Sequence, residues 1–155
     1  MSKKAIANAS SLETHAGFWL RFVSNHVSAR FQAQIEEQDI SISEWVAMRT
    51  LFDRDETSNA VLIKALGMTK GAASKIVSRL EAKGLAVRQL VEGSGREQTL
   101  SLTDAGSALV PRLAAIADEN DEHFFGHMSQ RQRSDLMRLL SGLVAHHQLH
   151  ELPIS

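Results

Sequence analysis

Cysteine is absent from the 155-residue chain. Disulfides, thiolate metal sites, cysteine nucleophiles and thiol-based redox sensing are therefore excluded, while the redox compartment stays open. No apolar run approaches the roughly 18 residues that a membrane-spanning helix needs. The first residues, Met1-Ser-Lys-Lys-Ala-Ile, lack the apolar core of a secretory signal. The expectation is a soluble, cytoplasmic protein with no membrane partner. Net charge is scarce as well, at −1, so bulk charge does not announce a nucleic-acid binder. The chain also has no Gly-rich phosphate loop, no Gly-x-Ser-x-Gly elbow and no paired acids in a catalytic frame. An enzyme is not expected, and neither is a cofactor.

Hydrophobic residues make up 43% of the chain and charged residues 23%, which is globular in character. The length suits one domain able to bury a real core. Charge is unevenly spread. Lys64, Lys70, Lys75, Arg79, Lys83, Arg88 and Arg96 face only Glu81 and Glu92 in that stretch, a local +5 that leaves −6 elsewhere. Such a patch can concentrate phosphate attraction on an otherwise acidic body. On charge alone, a randomly uneven surface is an equally good account.

Residues 1–10 are small and polar and read as a frayed end. From about Leu12 to Gln38 the pattern is helical, with Trp19, Val23, Val27, Phe31 and Ile35 recurring every four residues. Phe18, Leu20 and Phe22 widen that apolar surface, so the helix needs a partner. Ser43 stands as N-cap of a second helix over about 44–53. A polar loop over 53–58 precedes a short helix over 59–66, capped by Thr57 or Ser58 and ended by Gly67. Thr69 caps a helix over 70–83, and Gly84 ends it. Residues 85–91 and 98–102 read as two strands around a Gly-rich turn. Thr103 caps a long helix to about Phe125, in which Pro111 predicts a bend or a restart. Ser129-Gln-Arg-Gln132 fits a capping box for a last helix to about His147. The expected class is mainly α with a small β-wing, in the order ααααββαα.

Two short helices joined through Gly67 form a helix-turn-helix pattern. On the second, Ala73, Ile76, Val77 and Leu80 lie at i, i+3, i+4 and i+7 and must pack inward. The opposite face carries Gly71, Ser74, Lys75 and Ser78, with Thr69 and Lys70 at the N-terminal end and Arg79 on a flank. Small residues permit close approach to base edges, hydroxyls donate or accept, and lysine reaches guanine acceptors or phosphates. The helix N-terminus adds unpaired N–H groups suited to phosphate. An ordinary solvated polar face explains this helix equally well when it is taken alone. The hairpin directly behind it shifts the balance. Its tip, Gly93, Ser94, Gly95 and Arg96, has little to pack against, and Arg96 can enter a minor groove or bind phosphate.

The order of these pieces resembles the MarR family of winged helix-turn-helix transcriptional regulators. Ile42-Ser-Glu-Trp-Val-Ala-Met-Arg-Thr-Leu51 is similar to that family's second-helix signature. The run from Met68-Thr-Lys-Gly to Ala-Lys-Gly-Leu85 resembles its recognition helix and exit. Arg96 followed by Leu100-Ser-Leu-Thr-Asp-Ala-Gly106 resembles its wing and the start of its fifth helix. The resemblance implies one domain over 1–155. Within it lie a winged-helix lobe at 40–102 and dimerisation helices at 12–36 and 112–148. It implies a homodimeric repressor on a near-palindromic duplex, with one recognition helix per major groove and a wing in the adjacent minor groove. Many members carry Asp two residues before the wing Arg, where this chain has Ser94. The competing reading is a winged-helix module that binds another protein and not DNA.

The resemblance further implies a small aromatic acid or phenolic effector in a cleft beside the dimerisation helices. The candidate walls are Phe18, Trp19, Phe22, Trp45 and Met48, with Arg49 as carboxylate partner. Plain core or dimer interface is the favoured alternative for these aromatics. His123 and His127 stand at i, i+4, a spacing that can place two imidazoles on one metal. Phe124, however, occupies the Glu position of the His-Glu-x-x-His peptidase motif. His146, His147 and His150 cluster near Glu151. Some members of the family sense zinc through His and carboxylate ligands, but solvated helix histidines are the reading adopted, and no metal is assigned. The run Asp118-Glu-Asn-Asp-Glu122 reads as an exposed acidic face.

Overall fold

A computed structural model of the chain describes residues 8–93 and 95–149. The expectations for residues 1–7, for Ser94 and for His150 with Glu151 lie outside those bounds. A short 3-10 turn at Leu12–Thr14 precedes α1 (Ala16–Glu36), α2 (Ile42–Phe52), β1 (Thr57–Ser58), α3 (Asn59–Leu66) and α4 (Lys70–Ala82). Then follow β2 (Ala86–Leu90), β3 (Gln98–Leu102), α5 (Asp104–Phe125) and α6 (Gln130–His146). The fold is mainly helical with a small antiparallel sheet, as the sequence implied, but the order includes one strand more.

Side-chain caps set most helix starts. Ser58, Thr69, Thr103 and Ser129 each accept the backbone N–H three residues on, which satisfies an otherwise orphaned donor. Ser129 and Gln132 complete the expected capping box. The cap of α2 is Ser41 and not Ser43. Ser41 Oγ accepts Glu44 N–H at 3.1 Å and donates to Glu44 Oε1 at 3.2 Å, so Glu44, three residues on, selects the earlier serine. Gly67 ends α3 in the left-handed conformation, with φ 61°.

The segment expected to be a polar loop contributes β1. Thr57 pairs with Leu100 and Ser58 with Thr99, so the sheet order is β1-β3-β2. β2 and β3 form the hairpin, from Ala86 opposite Leu102 to Leu90 opposite Gln98. α5 runs unbroken from Asp104 to Phe125, so Pro111 does not restart it. Pro111 lies on the exposed side, where a missing N–H leaves its would-be acceptor open to water. Gly106 meets the hairpin so closely that a Cβ built there would penetrate the Leu85 carbonyl oxygen.

The core lies inside the lobe formed by α2, α3, α4 and the sheet. Met48, Leu51, Leu62, Val77, Leu80 and Leu100 are buried there, and Val110 and Leu113 of α5 close one side. α1 packs on α5. Asn120 of α5 is buried between them, accepting from Arg30 at 2.9 Å and donating to the Val27 carbonyl at 3.1 Å. Toward its N-terminus the stripe of α1 is uncovered. Trp19, Leu20, Phe22 and Val23 are all exposed, and only Ile35 of that helix is fully buried. α6 buries none of its residues, and Met137 (67%), Leu139, Leu140, Leu143 and Val144 stand exposed.

One ion pair ties the entry of α2 to the exit of α4. Lys83 Nζ lies 2.7 Å from the buried carboxylate of Glu44 and also bonds the Asp39 carbonyl. Asp39 holds a left-handed φ of 58° at the end of α1. Removing Lys83 strands a buried charge, whereas neutralising Glu44 leaves an ammonium that can turn to solvent. Urea denaturation should find Lys83→Ala destabilising by about 3 kcal/mol. Glu44→Gln should cost about 1–2 kcal/mol. The reverse order would contradict this reading of the pair.

Candidate nucleic-acid interface

α4 separates two chemistries cleanly. Ala73, Ile76, Val77 and Leu80 are its buried residues. Burying each large apolar side chain is worth roughly 1.5–3 kcal/mol, which fixes the rotation of the helix about its axis. Lys70, Gly71, Ser74, Lys75, Ser78 and Arg79 consequently all fall on the exposed side. Thr69 is exposed too, but its hydroxyl is engaged as the N-cap, accepting Ala72 N–H at 3.2 Å. No pairing to an acid is seen for Lys70, Lys75, Arg79 or Arg96 among the described residues.

The wing stands beside the N-terminal end of this helix. Gly93 and Gly95 take left-handed φ values of 84° and 70°, which a tight tip requires of glycine. Arg96 follows directly, is exposed, and shares with Lys70 a groove of about 580 Å³. Ser58, Asn59, Gln98 and Thr99 also line that groove, and Glu97 adds an acid to it. The first residue of α4 and the wing thus share one groove that carries cations, hydroxyls and amides.

Comparison with known proteins agrees with this geometry. Residues 38–97, which hold the helix-turn-helix and most of the hairpin, match the family model described as the MarR family. Over those residues the chain is of MarR type. The transcriptional regulator HosA of Escherichia coli is 26% identical over 130 residues, covering 84% of this chain and 95% of that protein. The HTH-type transcriptional repressor NicR of Pseudomonas putida is 26% identical over 151 residues, covering 93% and 96%. The solved structure of Bordetella bronchiseptica BpsR, a study of how 6-hydroxynicotinic acid regulates its DNA binding, has a TM-score of 0.77 to this chain. It is 22% identical and covers 88% of this chain and 97% of that one. Both curated relatives are described as transcription regulators.

The six residues expected to line an effector cleft do not all come together within the chain. Phe18, Trp19 and Phe22 group on α1, with the Phe18 and Trp19 rings edge to face at 5.2 Å. Trp45 instead packs on Phe31, at 6.3 Å. Nine residues of helix, about 13 Å at 1.5 Å each, separate Phe22 from Phe31. Met48 is fully buried in the core. Arg49 is turned to Asp53 at 2.7 Å and over the Phe52 ring, so its charge is already partnered. α5 ends at Phe125, which leaves His127 in the following turn and removes the helical i, i+4 relation to His123. His123 stacks edge-on against Phe124, and His146 against His147.

Arg88 is the site residue that sequence reasoning missed. In sequence it is only one more cation of the basic stretch. Its Nη2 donates to the Ser74 carbonyl at 2.7 Å, to Ser74 Oγ at 3.1 Å and to Ser78 Oγ at 3.2 Å. Its Nη1 lies 3.2 Å from Glu81. The available signal was the strand period of two, since Arg88 shares the inward face of β2 with buried Ala86.

Gly71 is a helical residue with open space where a Cβ would be. Glycine there sacrifices stability for a low profile. Gly71→Ala is expected to raise stability by about 0.5–1 kcal/mol in urea titration. A loss of stability would mean that the position is sterically confined and not part of an open ridge.

Proposed function

We propose that this chain is a homodimeric transcription regulator that binds duplex DNA sequence-specifically, with α4 in the major groove and the wing in the adjacent minor groove. The observation that carries the reading is the outward ridge of Lys70, Gly71, Ser74, Lys75, Ser78 and Arg79, backed by a buried stripe and continued by Arg96. Small residues admit the helix to base edges, and the cations answer phosphates. NicR's description as a repressor and BpsR's regulated DNA binding support the same role, and repression is the mode we assign.

The dimer rests on the uncovered apolar faces of α1 and α6. Trp19, Leu20, Phe22 and Val23, with Leu139, Leu140, Leu143 and Val144, are more apolar surface than an isolated helical domain leaves in water. A second copy is the natural cover, and two-fold symmetry then sets two recognition helices about one turn of duplex apart. The effector we propose is a small aromatic or phenolic acid. BpsR's response to 6-hydroxynicotinic acid supports it. Phe18, Trp19 and Phe22 are its recognition surface, completed by the dimer.

Two measurements test the reading. Affinity for a selected palindromic duplex should fall steeply with salt, and Arg96→Ala should reduce the log–log slope by about 1 per protomer. Salt-independent binding would contradict phosphate contact and favour a protein-binding winged helix. Sedimentation should find two chains per particle, and Leu143→Glu should yield folded single chains that lose duplex affinity. A native particle of one chain would contradict the dimer.

A further inference from the structure

We infer that Arg88 is a positioning residue that holds Ser74 and Ser78 as outward hydrogen-bond donors, so that the recognition face selects acceptor-bearing base edges. This rests on the DNA-binding reading above and goes beyond it to the class of base edge chosen. The two protons of Nη2 are shared among the Ser74 carbonyl and the two serine hydroxyls, and because a guanidinium only donates, each hydroxyl meets it with a lone pair. Each hydroxyl proton therefore points away from Arg88. A hydroxyl that accepts from a cation is polarised into a stronger donor and a poorer second acceptor.

Other hydroxyls in this protein illustrate the alternative fate. Ser141 Oγ donates to the Met137 carbonyl and Thr50 Oγ1 to the Val46 carbonyl, both at 2.7 Å, four residues back along their helices. Their protons are spent on the backbone. The corresponding acceptor for Ser78 is the Ser74 carbonyl, and Arg88 already occupies it at 2.7 Å. Among the described residues neither the Ser74 nor the Ser78 hydroxyl donates to the protein. Both side chains are exposed, so their protons are available to an incoming ligand. Glu81 balances the Arg88 charge at 3.2 Å, and the Arg88 side chain is only 23% exposed, which keeps it as a bracket and not a phosphate contact.

In the major groove guanine offers two acceptors, thymine offers O4, and cytosine offers a donor. The arrangement favours guanine or thymine and disfavours cytosine where Ser74 and Ser78 reach.

The test is a selection from randomised duplexes, followed by affinity measurement on point-substituted half-sites. The unmodified protein, Arg88→Ala, Arg88→Lys, Ser74→Ala/Ser78→Ala and the triple Ala variant would be compared. Replacing an acceptor edge by a donor edge should cost the unmodified protein about three- to tenfold in affinity. Arg88→Ala and the double serine variant should each flatten that preference at the same positions, and the triple variant should flatten it no further. Arg88→Lys keeps the charge but not the fork, so it should behave as Arg88→Ala. Because the serines are exposed, the double variant should retain its helicity and melting temperature. It therefore carries the test alone if Arg88→Ala does not fold. A preference left intact by the double serine variant would overturn the inference. Losses by Arg88→Ala that are uniform across sequences, with a reduced salt slope, would instead make Arg88 a phosphate contact and overturn it too. Failure of the unmodified protein to enrich any duplex would bring down the DNA-binding reading itself, and this inference with it.

Discussion

The stripe Ala73, Ile76, Val77 and Leu80 is the constraint on which the functional surface depends. An α-helix has no freedom to bury one face without presenting the other. Leu80 is fully buried and Val77 almost so, against Leu62 of α3 and the sheet within one core cluster. Rotating α4 by a quarter turn would expose several kcal/mol of apolar surface. Everything polar about the recognition face follows from that burial, and the cations on it need no partner within the chain to stay outside.

Three further features hold this helix in place along its length. Thr69 fixes its first turn by capping it. Arg88 braces its middle from β2 and binds Glu81 in the same fork. Lys83 pins its exit to Glu44 and to the turn after α1. That last bond joins the helix carrying the uncovered apolar face to the helix carrying the cations.

The helices were legible because their signals are local. Caps stand a fixed three residues from the groups they satisfy, and apolar residues repeat every three or four, so α3, α4 and α6 were bounded nearly to the residue. What escaped depends on distant chain. β1 is two residues long and exists only because β3 returns beside it, pairing Thr57 with Leu100, which no local pattern encodes. Ser43 and Ser41 are equally good caps by type, and Glu44 decided between them. Of the site, the ridge on α4 was readable from periodicity, whereas Arg88 was not, because its partners lie 10 and 14 residues earlier across a helix–strand contact. A wall shared by Phe18, Phe22 and Trp45 does not form, because Trp45 packs on Phe31, more than two turns of α1 beyond Phe22.

Because the chain contains no cysteine, single cysteines placed along α4 would each report alone. The most direct measurement is the rate of thiol modification at positions 71, 73, 74, 75, 76, 77, 78 and 80, with and without a selected duplex. The account requires fast reaction at 71, 74, 75 and 78, slowed strongly by DNA, and little reaction at 73, 76, 77 and 80 under either condition. Equal reactivity around the helix, or outward positions that DNA leaves unprotected, would contradict it.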